Sequence, residues 1–158
     1  MKRLFVCLLG LTFFLITSCS MINSGPDKPP IAFDPAYLNQ QIRLIPLKEM
    51  SAFKTEYPVA VLLQYTSTNE IVFPNNFNLR IFIQQNDQWL EIKEQPTTRP
   101  KDPIILSRQA LSRQIVMFSP ELDDLTKTYH MRVYVFGDMK TQEGTKQVAA
   151  FVNFVLTP

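Results

Sequence analysis

The stretch Tyr129-His130-Met131-Arg132-Val133-Tyr134-Val135-Phe136 decides the fold class, because its side chains alternate with a period of two. From Met131 onward the odd-numbered residues are aliphatic and share one face of an extended strand. The even-numbered residues, which include Tyr134 and Phe136, share the opposite face. This alternation is typical of a β-strand that buries one face against a core.

Similar short patterns recur along the chain, and no segment carries a convincing helical period. Asn86-Asp87 predicts a hairpin turn, Gln95 to Pro103 a loop, and the stretch through Gly137 and Gly144 a polar turn. The further predicted strands are Ile42–Ile45, Val59–Tyr65, Ile71–Phe73, Leu79–Ile83, Trp89–Ile92, Gln114–Phe118 and Val148–Leu156. About seven short strands with turns between them predict an all-β protein that folds as a single sandwich.

The residues that lead into this stretch make the prediction of a sandwich more specific. Leu122, Leu125 and Tyr129 are spaced in a way that resembles the tyrosine corner of immunoglobulin-like and fibronectin III-like domains. The resemblance implies a structural role for Tyr129, whose hydroxyl would bond to upstream backbone. The alternative is an ordinary strand tyrosine. Since paired cysteines and a tryptophan on the second strand are missing, "immunoglobulin-like" describes architecture here and not kinship.

The amino terminus predicts export and lipid attachment. Met1-Lys2-Arg3 is basic, and the apolar run Leu4 to Ile16 has the length of a signal-peptide core, too short for a permanent membrane span. Ile16-Thr17-Ser18-Cys19 resembles the lipobox of bacterial lipoproteins. That resemblance implies that the Cys19 thiol is acylated, becomes the new amino terminus and anchors the chain to a membrane. The alternatives are a plain secretory signal with an incidental cysteine and an uncleaved anchor helix, which the length disfavours.

The anchor sets the expected location and domain boundaries. Residues 1–18 are the predicted signal peptide, 19–36 a lipid-anchored proline-rich tether, and 37–158 the β-sandwich domain. The outer face of the cytoplasmic membrane is one expected location. Ser20 rather than Asp follows Cys19, and in the families that the lipobox resembles such a residue permits transfer to the outer membrane if the organism has one.

The charge balance excludes nucleic acid as an expected partner. The chain has 16 basic and 14 acidic residues, and loss of Lys2 and Arg3 with the signal peptide leaves 14 of each. Binding to nucleic acid or to anionic lipid through a polybasic patch requires clustered positive charge. Cys7 leaves with the signal peptide and Cys19 is acylated, so no internal disulfide is expected and core burial must stabilise the domain.

The sequence offers no catalytic or metal-binding pattern. His130 is the only histidine, and it has no free cysteine to join it in a usual zinc site. Asp123-Asp124 with Glu121 lacks the spacing of a calcium loop, and turn capping is the favoured interpretation. The Gly-x-Ser-x-Gly elbow is also missing. We therefore expect a protein that is not an enzyme, with no cofactor and no metal.

Alternation yields one candidate surface. Phe82, Tyr134 and Phe136 fall on the face opposite the aliphatic positions, and Phe151 extends their row. Since the third and sixth strands are neighbours in an immunoglobulin-like sheet, these rings form one aromatic strip. One hypothesis makes the strip an exposed surface for a protein or glycan partner. The favoured alternative is that the hairpin, the tether or a loop covers it.

A wider resemblance spans residues 57–156. Asn69-x-Ile71-x-Phe73-Pro74 and Trp89-x-x-Ile92 are similar to segments of small uncharacterised bacterial lipoproteins, which implies no particular activity. The expected function is a non-enzymatic, lipid-anchored interaction or accessory module of the cell envelope. The alternative is a structural subunit or assembly factor of an envelope complex, joined through an exposed strand edge.

Overall fold

The computed structural model describes residues 31, 33–34, 36–47, 53–74, 77–96, 102–108 and 112–158. The predicted signal peptide, Cys19 and the first part of the predicted tether lie outside these residues. The described chain contains nine strands: β1 (Ile42–Pro46), β2 (Val59–Tyr65), β3 (Ile71–Phe73), β4 (Arg80–Gln85), β5 (Gln88–Ile92), β6 (Ile104–Leu106), β7 (Arg113–Phe118), β8 (Tyr129–Thr141) and β9 (Gly144–Leu156). Among the described residues, no helix could cross a membrane.

The strands form two antiparallel sheets that enclose one main core. The first sheet has the order β1-β2-β7. In the second sheet, β8 pairs with β9 along one edge and with both β3 and β4 along the other. β5 and β6 then pair with β4 and β3.

The register shows how the nine strands form seven ribbons, the strand number expected for the sandwich. Met131 to Tyr134 of β8 pairs with β4, whereas Asp138 and Met139 pair with β3, so β3 and β4 lie end to end as one interrupted ribbon. β5 and β6 form a second interrupted ribbon beside them. The seven ribbons in chain order are β1, β2, β3 with β4, β5 with β6, β7, β8 and β9. The first, second and fifth ribbons form one sheet, and the other four form the second sheet. This division is that of an immunoglobulin-like sandwich and confirms the predicted fold class.

Alternation places aliphatic side chains between the sheets. Val59, Val61 and Leu63 of β2 are fully buried, as are Met131 and Val133 of β8. Burial of each such side chain contributes about 1.5–3 kcal/mol relative to exposure. The core therefore needs no covalent staple among these residues.

One of the predicted turns is confirmed and another is wrong. Asn86 and Asp87 have φ values of 50° and 60°, which fits the predicted two-residue hairpin turn between β4 and β5. The expected turn at Gly137 is wrong, because β8 continues through it to Thr141. A Cβ atom at Gly137 would lie 2.7 Å from Phe73 Cε1, so glycine here permits close packing inside a strand. β6, which follows the predicted loop, was not predicted.

Candidate functional site

The structure places Tyr129 at the start of β8, 7% exposed. Its hydroxyl donates to the Asp124 carbonyl oxygen at 2.9 Å, five residues upstream, which is the backward bond of a tyrosine corner. The Asp124 carboxylate accepts bonds from the Thr126 hydroxyl at 2.6 Å and the Thr126 N–H at 2.9 Å. These two bonds, with the Lys127 ammonium, lower the pKa of Asp124 to about 2. The carboxylate therefore caps a turn.

The predicted aromatic strip is assembled but is not an exposed surface. Phe82, Tyr134 and Phe136 lie on the outer face of the second sheet, and Phe151 stands opposite Tyr134 in the register. Phe82 is 3% exposed, Tyr134 0% and Phe136 6%, while Phe151 is half-buried. The hypothesis of an exposed strip is therefore wrong. The rings form a second, smaller core outside the sandwich.

Tyr134 is the centre of this aromatic cluster. Its ring centroid lies 5.8 Å from that of Phe82, 6.0 Å from that of Phe136 and 5.3 Å from that of Phe151. The Phe82 contact is edge-to-face at 79°, and the Phe136 contact is stacked at 12°. Aromatic pairs in such geometries contribute about 0.5–1.5 kcal/mol each beyond area burial.

Residues of the predicted tether cover the cluster. Phe33 lies 6.0 Å from Phe136 between ring centroids, and Ile31 and Leu38 pack beside it. Backbone bonds fix the segment to the edge of β9, where Asn39 N–H donates to the Ala149 carbonyl at 2.9 Å and Ala149 N–H donates to the Tyr37 carbonyl at 3.1 Å. The packed body therefore begins upstream of residue 37.

Arg132 is the one buried basic side chain on this face among the described residues, at 4% exposure. Its guanidinium lies 4.4 Å from the Trp89 ring centroid and 5.0 Å from that of Phe151. Its Nε donates to Asn153 Oδ1 at 2.7 Å. Stacking between two rings contributes about 2 kcal/mol when the cation is desolvated, so Arg132 stabilises this outer layer.

The Tyr134 hydroxyl is buried and has no hydrogen-bond partner among the described residues. Burial raises its pKa above the ordinary value of 10.0, and the positive charge of Arg132, the contact of the hydroxyl with the Arg132 guanidinium and the charge of Arg80 act in the opposite direction. Burying an unpaired hydroxyl is unfavourable, so this oxygen weakens the cluster that the ring strengthens.

Two grooves flank the aromatic cluster. One, of about 420 Å³, lies beside the covering segment and is lined by Ile31, Phe33, Asn78, Leu79, Arg80, Phe136 and Gln147. The other, of about 340 Å³, is lined by Gln84, Trp89, His130, Met131, Arg132, Asn153, Phe154 and Val155. Arg80 in the first groove pairs with Glu91 at 2.7 and 2.5 Å, which lowers the pKa of Glu91.

His130 is exposed at the second groove. Within the described ranges, no three His, Cys, Asp or Glu side chains lie close enough to hold a metal ion. The groove thus presents one imidazole, the edge of a stacked guanidinium and the two amides of Gln84 and Asn153. This set can form hydrogen bonds to a polar ligand, and it lacks a carboxylate or thiol partner for His130 among the groove residues.

The outer face of the first sheet carries a row of partly exposed apolar side chains, whereas Ala60 in the neighbouring row is fully buried. Ile45, Leu62 and Ile115 lie directly opposite one another across β1, β2 and β7, which makes one continuous row. Ile45 is 39% exposed, Ile115 39% and Met117, two residues further along β7, 51%. We call Ile45, Leu62, Ile115 and Met117 the aliphatic face. Contiguous exposed apolar side chains of this kind mark interaction sites more often than isolated ones do.

Basic side chains border one end of the aliphatic face. In the next row, Arg43 and Arg113 lie on either side of Gln64, and both arginines are exposed. Neither forms an ion pair with a described residue. The face therefore combines aliphatic surface with two positive charges.

Parts of the sheet edges are already covered. The Thr55 N–H and the Phe53 carbonyl both bond to Thr157 next to the end of β9. Beyond β7, the Ser119 carbonyl accepts from the Gln95 N–H at 2.8 Å, and the Ile115 carbonyl accepts from Gln114 Nε2. Covered edges resist pairing with another chain, so the aliphatic face is the better candidate site.

The rings are predicted from the sequence, and so is their cover, because the favoured alternative has the hairpin, the tether or a loop over the strip; Phe33 and Trp89 confirm it. The sequence does not predict which tether residues pack there. Phe33 and Ile31 were assigned to a tether, although a phenylalanine in a polar, proline-rich stretch is itself a signal of packing. The aliphatic face was also missed. Its signal was Leu62, an apolar residue on the side of β2 expected to face solvent, together with Ile115 and Met117 at alternate positions of β7.

No protein-family model matches the chain, and no curated protein or solved structure gives a significant match. Functional assignment therefore depends on the residues and geometry of this chain.

Proposed function

We propose that this chain is a lipid-anchored, non-enzymatic interaction module of the cell envelope. The aliphatic face carries the proposal, because Ile45, Ile115 and Met117 expose 39–51% of their surface together on one sheet. Contiguous apolar side chains bordered by polar ones mark interaction sites, whereas single exposed apolar residues are ordinary, so this row supports a binding role. The expected partner is a protein.

The lipobox resemblance supports the membrane part of the proposal. Only residues 20–30 separate Cys19 from Ile31, the first described residue packed on the domain. A proline-rich chain of that length extends about 3.1 Å per residue, so it reaches about 30 Å. The covering segment packs on the second sheet, so it leaves the aliphatic face of the first sheet uncovered, which supports a partner at that face.

The anchor is tested with two cysteine variants in the producing cell. Mass spectrometry of the mature protein should show an acylated Cys19 in the parent and in Cys7→Ala, which changes only the signal peptide. Cys19→Ala should lack the lipid and should leave the membrane fraction without detergent. Parent protein that is water-soluble with a free thiol at position 19 would contradict the proposal.

The interaction role is tested by crosslinking in intact cells followed by mass spectrometry. A protein crosslinked through the first sheet is expected, and its yield should fall in Ile115→Asn. The alternative function, a structural subunit, predicts that detergent-free Cys19→Ala protein co-purifies with its partner in a fixed ratio. The interaction module instead predicts a monomer. Substrate turnover that disappears in His130→Ala would contradict both and indicate an enzyme.

A further inference from the structure

We propose that the aliphatic face binds an acidic amphipathic α-helix of another protein, with the helix axis along β2. Ile45 and Ile115 would pack on its two sides and Leu62 beneath it. Arg43 and Arg113 would pair with carboxylates on the two borders of its apolar stripe. This inference rests on the proposed function, since it names the partner chemistry of the same face.

The dimensions of the face favour a single helix. Adjacent strands lie about 4.8 Å apart, so Ile45 and Ile115, separated by β2, stand about 10 Å apart. An α-helix with its side chains is about 10–12 Å in diameter, which matches this width. Arg43, Ile45 and Leu47 mark three rows that extend over about 13 Å along the direction of β1, which corresponds to two to three helical turns. The centre of the third row is the buried Ala60, so the helix would contact Leu47 and Met117 on either side of it.

Charge disfavours a second copy of this chain. Three strands and three rows give a face of roughly 200 Å², well below the ~800 Å² per partner of a stable interface, so any occupant binds weakly in solution and charge decides between them. Two copies would bring four arginines together, because every copy carries Arg43 and Arg113 at the border of the face. Like charges across an interface are unfavourable.

Charge complementarity specifies the helix. Arg43 and Arg113 are exposed and lie on opposite sides of Gln64, so carboxylates on both borders of an apolar stripe would meet one cation each. Guanidinium groups bind carboxylates in two-bond geometry, which orients the helix as well as attracting it. A basic amphipathic helix would be repelled by the same pair.

A small face gives weak binding in solution, and a shared membrane compensates for this. Two proteins held on one lipid surface meet at an effective concentration in the millimolar range. A weak contact is then occupied without a large interface. This is the consequence of combining the anchor with the aliphatic face.

The test uses the full chain in nanodiscs of phosphatidylcholine and phosphatidylglycerol, with empty nanodiscs as the blank. The probe is a fluorescein-labelled synthetic 15-residue helix with leucines at positions i, i+3, i+4 and i+7 and glutamates on both borders. A second peptide replaces every glutamate by lysine. Fluorescence anisotropy should show saturable binding of the glutamate peptide and about tenfold weaker binding of the lysine peptide.

Charge reversal on the protein tests the proposed ion pairs directly. R43E/R113E should lose binding of the glutamate peptide and gain binding of the lysine peptide, with an unchanged circular dichroism spectrum because both side chains are exposed. Lys140→Glu, which changes charge on the second sheet, should bind like the parent. Ile115→Asn should weaken the glutamate peptide about fivefold by removing one side of the groove.

Three results would overturn the inference: no saturable binding of either peptide, equal binding of both, or binding unaffected by charge reversal. A dimer in sedimentation velocity that dissociates in Ile115→Asn would also overturn it, by identifying a second copy as the occupant. Acylation of Cys19 is measured on the same preparation. Lack of peptide binding to an acylated protein therefore counts against the helix and not against the anchor.

Discussion

Deleting the same atom from two tyrosines of β8 should change stability in opposite directions. The Tyr129 hydroxyl donates to the Asp124 carbonyl at 2.9 Å, whereas the Tyr134 hydroxyl is buried with no partner among the described residues. A typical hydrogen bond contributes about 0.5–1.5 kcal/mol, so Tyr129→Phe should lower the free energy of unfolding by about 1 kcal/mol. Tyr134→Phe removes an unpaired polar atom, so it should leave the free energy unchanged or raise it by about 1 kcal/mol.

Urea unfolding followed by tryptophan fluorescence measures both variants, since Trp89 lies in the outer layer. With a slope of about 1–3 kcal/mol per molar urea, a stability difference of about 1–2 kcal/mol should separate the two midpoints by about 0.3–2 M. Tyr65→Phe is a second reference, because the Tyr65 hydroxyl donates to the Asn69 carbonyl at 3.0 Å and its loss should also destabilise. If Tyr134→Phe destabilises as much as the two reference variants, the hydroxyl has a partner and the reasoning fails.

The same residue predicts a pH dependence. Burial raises the pKa of Tyr134 above 10.0, so the unfolded chain loses this proton at a lower pH than the folded chain. The free energy of unfolding should therefore fall as the pH rises above about 10. Tyr134→Phe should flatten that part of the curve relative to Tyr129→Phe. Equal slopes in both variants would contradict the assigned burial.

Three further changes test the cover, the packing and the corner. Phe33→Ala should lower the free energy of unfolding by about 1–2 kcal/mol, because it removes a half-buried ring from its contact with Phe136. It should also increase binding of a hydrophobic dye. If neither stability nor dye binding changes, Phe33 does not cover the aromatic cluster. Gly137→Ala should cost about 1–3 kcal/mol in urea unfolding, because its Cβ would lie 2.7 Å from Phe73, and a neutral result would refute that contact. The pKa of Asp124 is lowered to about 2 from 3.8, so the stability it contributes should be present above pH 4 and lost as the pH falls through 2. Asp124→Asn should abolish this loss of stability at low pH. A pKa near 4 for Asp124 in an NMR titration would refute the prediction.

The fold was largely predictable because its signal is local. Period-two alternation in the segments that became β2, β4 and β8 identifies strands and their inner faces without knowledge of pairing. Asn86-Asp87 fixes a hairpin through its positive φ angles, which is also local. The break between β3 and β4 is also predicted locally, but their end-to-end arrangement was not predictable, because it depends on which half of β8 each strand meets.

The sites were less predictable because exposure depends on distant parts of the chain. Alternation placed Tyr134 on the correct face, but Phe33 covers the cluster from about a hundred residues away in sequence. The aliphatic face posed the reverse problem, since Ile45, Leu62 and Ile115 form a row only after three strands from separate segments are paired. The sequence shows the chemistry of each side chain, but it does not show which residues from distant segments come into contact.

The way the amino-terminal segment is fastened has a mechanical consequence. Leu38 bridges Ala149 in parallel orientation, and the bonds of Tyr37 and Asn39 lie on either side of that bridge. A pull on the amino end along this segment loads these bonds in shear, so several must break together rather than one after another. Tension applied upstream of residue 31 is first carried by the contacts of Phe33 and by the bonds of Tyr37 and Asn39. It reaches β1 only after these contacts break, so the hydrogen bonds of the first sheet are protected.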